Sequence, residues 1–343
     1  MTTTPDDPAI LERVGHYYEA ATPYEVGREK VREYARAVQD YHPAHWEEST
    51  ALRLGYSGLV APLTFTSIPA MAANRALLET VVVGYDTYVQ TEQVFEQHRP
   101  IVEGDVLRTD VELSAVRRVA GKDMITITNT FVDQAGETVH TMHTTVVGVT
   151  GDEVDPAITE AVDKVMMHDV AMLALDDPSS SYTKTVREAQ APPRSATGET
   201  RRVDSLNFDD LSVGDQLPVV TRKLTRGDLV NYAGVSGDAN PIHWDEGIAQ
   251  LAGLPDVIAH GMLTMGLGVG TVSDWSGDPG AVLKYSVRLS SPAVVSAAGG
   301  GEIEYSGRIK SLDPDTRSGV VILVAKSEGK KIFGMATLHV RFS

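Results

Sequence analysis

The strongest constraint on this chain is an internal repeat. Asp40, Pro43, His45, Trp46, Ala51 and Gly55 recur at a constant offset of 198 as Asp238, Pro241, His243, Trp244, Ala249 and Gly253. The match has no gap from Arg28/Arg226 to Ala61/Ala259, and Tyr34, Ala35 and Glu48 find Tyr232, Ala233 and Glu246. A repeat decides the architecture before any local reading does. It requires two copies of one unit, and a length of 343 residues agrees with two domains. Two ionisable residues kept at fixed spacing in both copies point to a unit built around a site.

Each copy has the same order of elements. An amphipathic lead-in, Arg28–Val38 or Arg226–Val235, precedes the turn that carries Asp and His. A short helix follows and stops at Gly55 or Gly253, residues suited to the left-handed position past a helix end. Next comes a longer apolar helix, Leu63 to about Ala76 or Gly261 to about Trp275. Alternating runs then predict strands: Tyr88–Gln97, Val106–Val116, Asp123–Asp133 and Thr138–Val149 in the first copy. In the second they lie near Leu283–Leu289, Gly301–Leu312, Ser318–Ser327 and Lys331–Arg341. One long helix plus a run of antiparallel strands is an α+β arrangement, with the helix against one face of a curved sheet. Residues 1–150 form the first domain and 203–343 the second. Residues 151–202 link them, with a helix over Ala157–Leu175 and a mobile Ser/Pro-rich stretch over Asp176–Thr200.

Composition excludes several classes. The net charge of −17 argues against nucleic acid and against an anionic membrane surface. An acidic partner would need a local basic patch, for which Arg222, Lys223 and Arg226, or Lys330 and Lys331, are the candidates. There is no cysteine, hence no disulfide, thiol nucleophile or thiolate metal site. The opening MTTTPDDPAI has neither the basic nor the apolar region of a signal peptide. The longest apolar run, Val257–Ser273, is too short and too polar to span a membrane. A cytoplasmic protein is expected.

In the second copy, Asn240 is a good N-cap and Pro241 suits the first helical position. That alone explains the turn structurally. An Asp just before the cap and a His in the first turn also face one cleft, however, and such a pair suits acid/base work near neutral pH. Further on, Ala259-His260-Gly261 opens the long helix, where unpaired amides carry positive potential. Gly261 lets a ligand approach its N–H closely, and a thioester carbonyl hydrogen-bonded there would be polarised towards an enolate; the alternative is that Gly261 serves helix packing. Other patterns lead nowhere: Gly266-Leu267-Gly268-Val269-Gly270 is not a dinucleotide fingerprint, and Gly234-Val235-Ser236-Gly237 is not a nucleophile elbow. The His42/His45 and His140/His143 spacings lack a carboxylate that would complete a metal site.

Together, Gly237-Asp238-Ala239-Asn240-Pro241-Ile242-His243 and Ala259-His260-Gly261 resemble the MaoC-like (R)-specific hydratases and dehydratases, which adopt the hot-dog fold. The second copy is more narrowly similar to the HadB subunit of the mycobacterial (3R)-hydroxyacyl-ACP dehydratase, through Arg226–Trp244, Ala259–Gly268, Gly277–Gly280 and Gly329–Gly334. The first resembles the partner subunit HadA through Tyr24–Gln39 and Leu59–Phe65. The resemblance implies a double hot-dog fold, two long helices wrapped by one shared antiparallel sheet. It implies syn loss or addition of water across Cα–Cβ of an acyl thioester, carried on acyl carrier protein or CoA, within long-chain fatty acid elongation alongside other elongation enzymes. Asp238 and His243 would be catalytic, and Asn240 and Gly261 would bind substrate. No cofactor or metal is implied.

The first copy departs from this pattern. His42 replaces Asn, and Ala61-Pro62-Leu63-Thr64 stands where Ala259-His260-Gly261-Met262-Leu263-Thr264 stands, so His-Gly is missing. Proline offers no N–H. The first copy is therefore expected to line the acyl channel, while Asp40 and His45 leave a degenerate second site open. Rival readings are a hydratase acting on enoyl-CoA in another pathway, a non-catalytic acyl-thioester binding module, and a hot-dog thioesterase.

Overall fold

Period-two alternation in the strand regions yields one sheet with one face turned inward. The computed structural model describes residues 8–20, 22–82, 84–85, 87–150, 156–166, 182–185 and 205–343. Thirteen strands run in chain order: β1 (Tyr17–Ala20), β2 (Tyr24–Glu25), β3 (Thr87–Gln97), β4 (Val106–Val119), β5 (Lys122–Val132), β6 (Thr138–Val149), β7 (Tyr182–Thr185), β8 (Val220–Leu224), β9 (Val282–Leu289), β10 (Gly301–Asp313), β11 (Ser318–Ser327), β12 (Lys330–Lys331) and β13 (Phe333–Arg341). Their order across the sheet is β7-β1-β4-β5-β6-β3-β9-β13-β11-β10-β8, with β2 on β4 and β12 on β11. All recorded pairings are antiparallel. The α+β double hot-dog fold follows: two long helices, Ser67–Thr80 and Gly261–Ser276, wrapped by one continuous sheet.

The halves join where β3 meets β9. Phe95 pairs with Tyr285 and Val94 with Ser286. On the solvent side, Arg288 meets Glu92 at 2.8 Å and Lys284 meets Glu96 at 2.6 Å. These partly exposed pairs fix register more than they add stability. Inside, the lead-in helices Arg28–Ala37 and Arg226–Ser236 pack together, with Tyr34 and Tyr232 ring centroids 6.2 Å apart. A reciprocal Thr225/Asp228 capping box starts the second of these.

The glycines of Gly266–Gly270 serve close packing. A Cβ on Gly266 would lie 2.6 Å from Val38 Cγ1, and one on Gly270 would lie 3.2 Å from Asp40 Oδ2. One turn apart, these two glycines let the second half's long helix approach the first copy's site segment. Gly268 faces the other way, with Tyr285 and Tyr305 each 3.1 Å from its hypothetical Cβ. Gly266→Ala is expected to cost about 1–3 kcal/mol through overpacking, read as a lower denaturant midpoint at unchanged slope.

Three sequence expectations are corrected. The helix placed over Ala157–Leu175 spans Pro156–Asp163, and residues from 167 onward in that stretch lie outside the described residues. The stretch Asp176–Thr200 contains an edge strand, β7, which pairs with β1; its other residues lie outside those described. The strand expected over Lys331–Arg341 breaks at Ile332, whose N–H bonds to the Ala325 carbonyl. Strands β1, β2 and β8 were also missed, because runs of two to five residues give too short an alternation to read.

Candidate active site

Both Asp/His turns are built alike. A single 3₁₀ turn, Pro43–His45 or Pro241–His243, carries the His, and the Asp precedes it. The residue before each proline is the cap. Asn240 Oδ1 accepts from the Ile242 N–H at 3.3 Å, and His42 Nδ1 accepts from the Ala44 N–H at 3.2 Å. His42 thus replaces Asn by offering an imidazole nitrogen at the same place. Each His then uses Nδ1 on a carbonyl 15 residues on, His45 on Val60 and His243 on Ile258, at 2.5 and 2.7 Å. That bond fixes the tautomer and leaves Nε2 for the Asp side. The following tryptophan closes each turn, Trp46 donating to the Asp40 carbonyl and Trp244 to the Ala239 carbonyl.

Solvent access separates the copies. Asp40 and His45 are 1% and 0% exposed, and their side chains meet at 3.3 Å. The second half covers them: the Asp40 carboxylate packs on Gly270, and a His42 ring nitrogen lies 3.3 Å from the Gly277 carbonyl. Nearby, Tyr56 donates to Asp278 at 2.6 Å. Burial works against charge on both members of the pair. The imidazolium nonetheless holds Asp40 below the usual carboxylate range, and the carboxylate holds His45 above the usual imidazole range. The pair is a buried ion pair.

In the second copy Asp238 is half-buried, Asn240 is exposed and Gly261 is partly open, while His243 is 7% exposed. Asp238 Oδ1 takes the Asn240 N–H at 3.4 Å, and the neighbouring His260 lies within 0% exposure. His260 was read from sequence only as part of the Ala-His-Gly run. Its Nε2 lies 3.2 Å from the Asp238 carbonyl, and its ring stacks on His243 with centroids 3.8 Å apart. It therefore ties the Asp/His turn to the start of the long helix, which opens at Gly261. Burial pushes His243 below its ordinary value, against the opposing pull of Asp238 and the Ile258 carbonyl. Burial and His243 push His260 well below its own. Both rings are neutral at neutral pH, so His243 is able to accept a proton.

Asp238, His243 and His260 each offer one side-chain atom, all within 4.8 Å of one another. Each imidazole already commits one nitrogen to a carbonyl, His243 to Ile258 and His260 to Asp238, which leaves one nitrogen on each ring. The arrangement suits proton transfer: a half-exposed carboxylate and a neutral imidazole beside a helix start with unpaired amides. In the first half the corresponding helix start is Pro62-Leu63: Pro62 takes the cap position of His260, and Leu63 stands where Gly261 stands.

A second group reaches Gly261 from the other half. A Cβ there would meet Leu289 Cδ1 at 2.8 Å and Gln90 Oε1 at 3.6 Å. Gln90 lies on β3 of the first half, 171 positions away in sequence, and nothing local in the sequence marks it.

Residues 12–142 match a family model described as FAS1-like, dehydratase domain region, and residues 212–327 match the MaoC like domain. A solved MaoC-like dehydratase is 67% identical, with a TM-score of 0.91, covering 98% of this chain and all of that one. A UPF0336 protein of Mycolicibacterium paratuberculosis is 36% identical over 156 residues, 45% of this chain and 98% of the relative. A Mycobacterium tuberculosis protein with a double hot-dog fold, 15% identical, superposes with a TM-score of 0.64 over 97% of this chain and 98% of its own, a likeness of fold alone. Among the described residues, no helix is long and apolar enough to cross a membrane.

Proposed function

We propose, from the premise that the chain belongs to the MaoC-like dehydratase family, that it interconverts (3R)-hydroxyacyl and trans-2-enoyl thioesters by loss or addition of water. The observation that carries the reading is the pairing of a solvent-reachable Asp238/His243 dyad with the free helix start at Gly261.

The mechanism uses three groups. The Gly261 N–H holds the thioester oxygen and stabilises the negative charge that develops there. That lowers the cost of removing the Cα proton. Asp238 and His243 share the two proton transfers: one member takes the Cα proton, and the other protonates the departing Cβ hydroxyl. Both lie on one turn, so both act from one face of the substrate, which gives syn elimination. Asn240 holds the turn by its cap and its N–H bond to Asp238. The first half lines the acyl channel, and its buried Asp40/His45 pair is structural. The carrier is acyl carrier protein and the setting is chain elongation, a cytoplasmic process. CoA is the competing carrier.

The test is hydration of trans-2-enoyl thioesters of increasing length on CoA and on acyl carrier protein, followed by loss of the conjugated enoyl absorbance. Turnover at one or more lengths, without release of free thiol, is the expected result. Thiol release would instead identify a thioesterase, and ligand binding without turnover would identify a binding module.

A further inference from the structure

The inner face of the first half's sheet carries a polar row that begins beside Gly261 and has no hydrogen bond between Thr144 and Asn129. At its head, Gln90 stands beside Gly261 and donates to Gln93 at 2.8 Å. Thr144, opposite Gln93 on the neighbouring strand, donates to the same Gln93 oxygen at 2.8 Å. Thr144 in turn pairs with Ile127 on β5, which puts Asn129 on the same face, diagonally beside it. Asn129 donates to Asn74 of the helix Ser67–Thr80 at 2.8 Å. Gln93 and Asn129 are 1% and 0% exposed, and Thr144 is 8% exposed. Gln90 and Asn74, at the two ends, are only half-buried although both bond to residues on the covered face.

Burying polar side chains in a domain interior is costly unless every group is paired. One here is not: Asn129 Oδ1 is buried and has no hydrogen-bond partner in the protein. The second half shows that the fold does not need such a row. There the inward pairs are Val287 with Ala336 and Tyr285 with Leu338, and the buried Tyr285 hydroxyl is their one polar side-chain group. A channel serving only alkyl chains would gain from apolar residues at these positions.

We propose that the row binds a hydroxyl group on the acyl chain, so that the substrates are (3R)-hydroxyacyl thioesters bearing a second hydroxyl further from the thioester. The unpaired Asn129 amide atom calls for a polar partner on the ligand, and a hydroxyl, which both donates and accepts, satisfies it. The Gln93 oxygen already accepts two bonds, so the unpaired atom lies at the far end of the row. This rests on the dehydratase reading and names the substrate class of that same site.

The test compares trans-2-enoyl pantetheine thioesters of increasing length, each carrying a terminal hydroxyl, with alkyl thioesters of equal atom count. At one length the hydroxylated compound is expected to have at least a tenfold higher kcat/KM, since a site built to hydrogen-bond a hydroxyl rejects the analogue without it. The double variant Asn74→Leu/Asn129→Leu should erase that preference. It replaces both partners by apolar groups, a change that is close to neutral for folding. Thr144→Val serves as the second variant, and it should reduce the preference with an unchanged unfolding temperature. Binding of the saturated hydroxylated and alkyl thioesters, measured by calorimetry, gives a readout independent of turnover. A hydroxyl preference in binding that the double variant loses supports the proposal even if wild type turns nothing over, and that result would sink only the dehydratase reading. Equal or better binding and turnover of the alkyl compounds at every length overturns it.

Discussion

Asp238→Asn is expected to lower enoyl-thioester hydration by about 10²–10⁴-fold, the usual worth of a positioned acid/base group. The substitution keeps size and one acceptor oxygen, so the Asn240 N–H bond at 3.4 Å survives. What it removes is the exchangeable proton and the negative charge beside His243. Because Asp238 is half-buried and, among the described residues, takes part in no close ion pair, unfolding temperature should change by no more than a few degrees. The loss should appear in kcat more than in KM, since the interaction belongs to the transition state. Undiminished hydration by the folded variant would remove the assignment of this site.

Asp40→Asn and His45→Gln are expected to do the opposite, leaving chemistry in place and weakening the fold. Removing one member of a buried pair strands the other charge, at about 3–5 kcal/mol. For a chain of this size that is roughly 4–7 °C in unfolding temperature. Hydration measured well below that temperature should stay within a few-fold of wild type. Abolished turnover in a folded Asp40→Asn would show that the first copy is catalytic too.

The pH dependence of this pair has a definite sign. Asp40 is held below its usual range, so its contribution is present above the unfolded value near pH 4 and is lost as pH falls through the folded value. His45 is held above its usual range, so its contribution is complete below about pH 6.5 and is lost as pH rises through the folded value. The pair therefore stabilises most between about pH 4 and 6.5. The gap in unfolding temperature between wild type and His45→Gln should narrow as pH rises beyond that window.

Much of the fold was legible in one dimension because its signals are local. β6 and β11 coincide with the strands expected over Thr138–Val149 and Ser318–Ser327, since period-two burial runs along the whole of β11 and from Met142 to Val149 in β6. Lead-in helices, caps and left-handed glycines also depend on near neighbours: Gly55 and Gly253 have φ of 85° and 78°. The short strands were not legible because their hydrogen bonds come from partners far away, β8 from β10 and β1 from β4.

The candidate site divides in the same way. Asp238, Asn240, His243 and Gly261 stand out in the sequence because a turn and a helix start impose fixed spacing. Sequence also distinguishes the copies at the helix start, where Pro62-Leu63 stands in place of His260-Gly261. It left open what the conserved-looking pair at Asp40 and His45 does. Tertiary structure decided its access to solvent. The second half's long helix, brought close by Gly266 and Gly270, seals that pair from water and turns it into a buried ion pair. The same docking carries Gln90 to Gly261 from the far side of the molecule. The chain by itself determined two related units and the chemistry written into their turns. Which turn reaches solvent and which side chains cross between the halves were decided by packing, because burial and long-range contact depend on how surfaces meet and not on spacing along the chain.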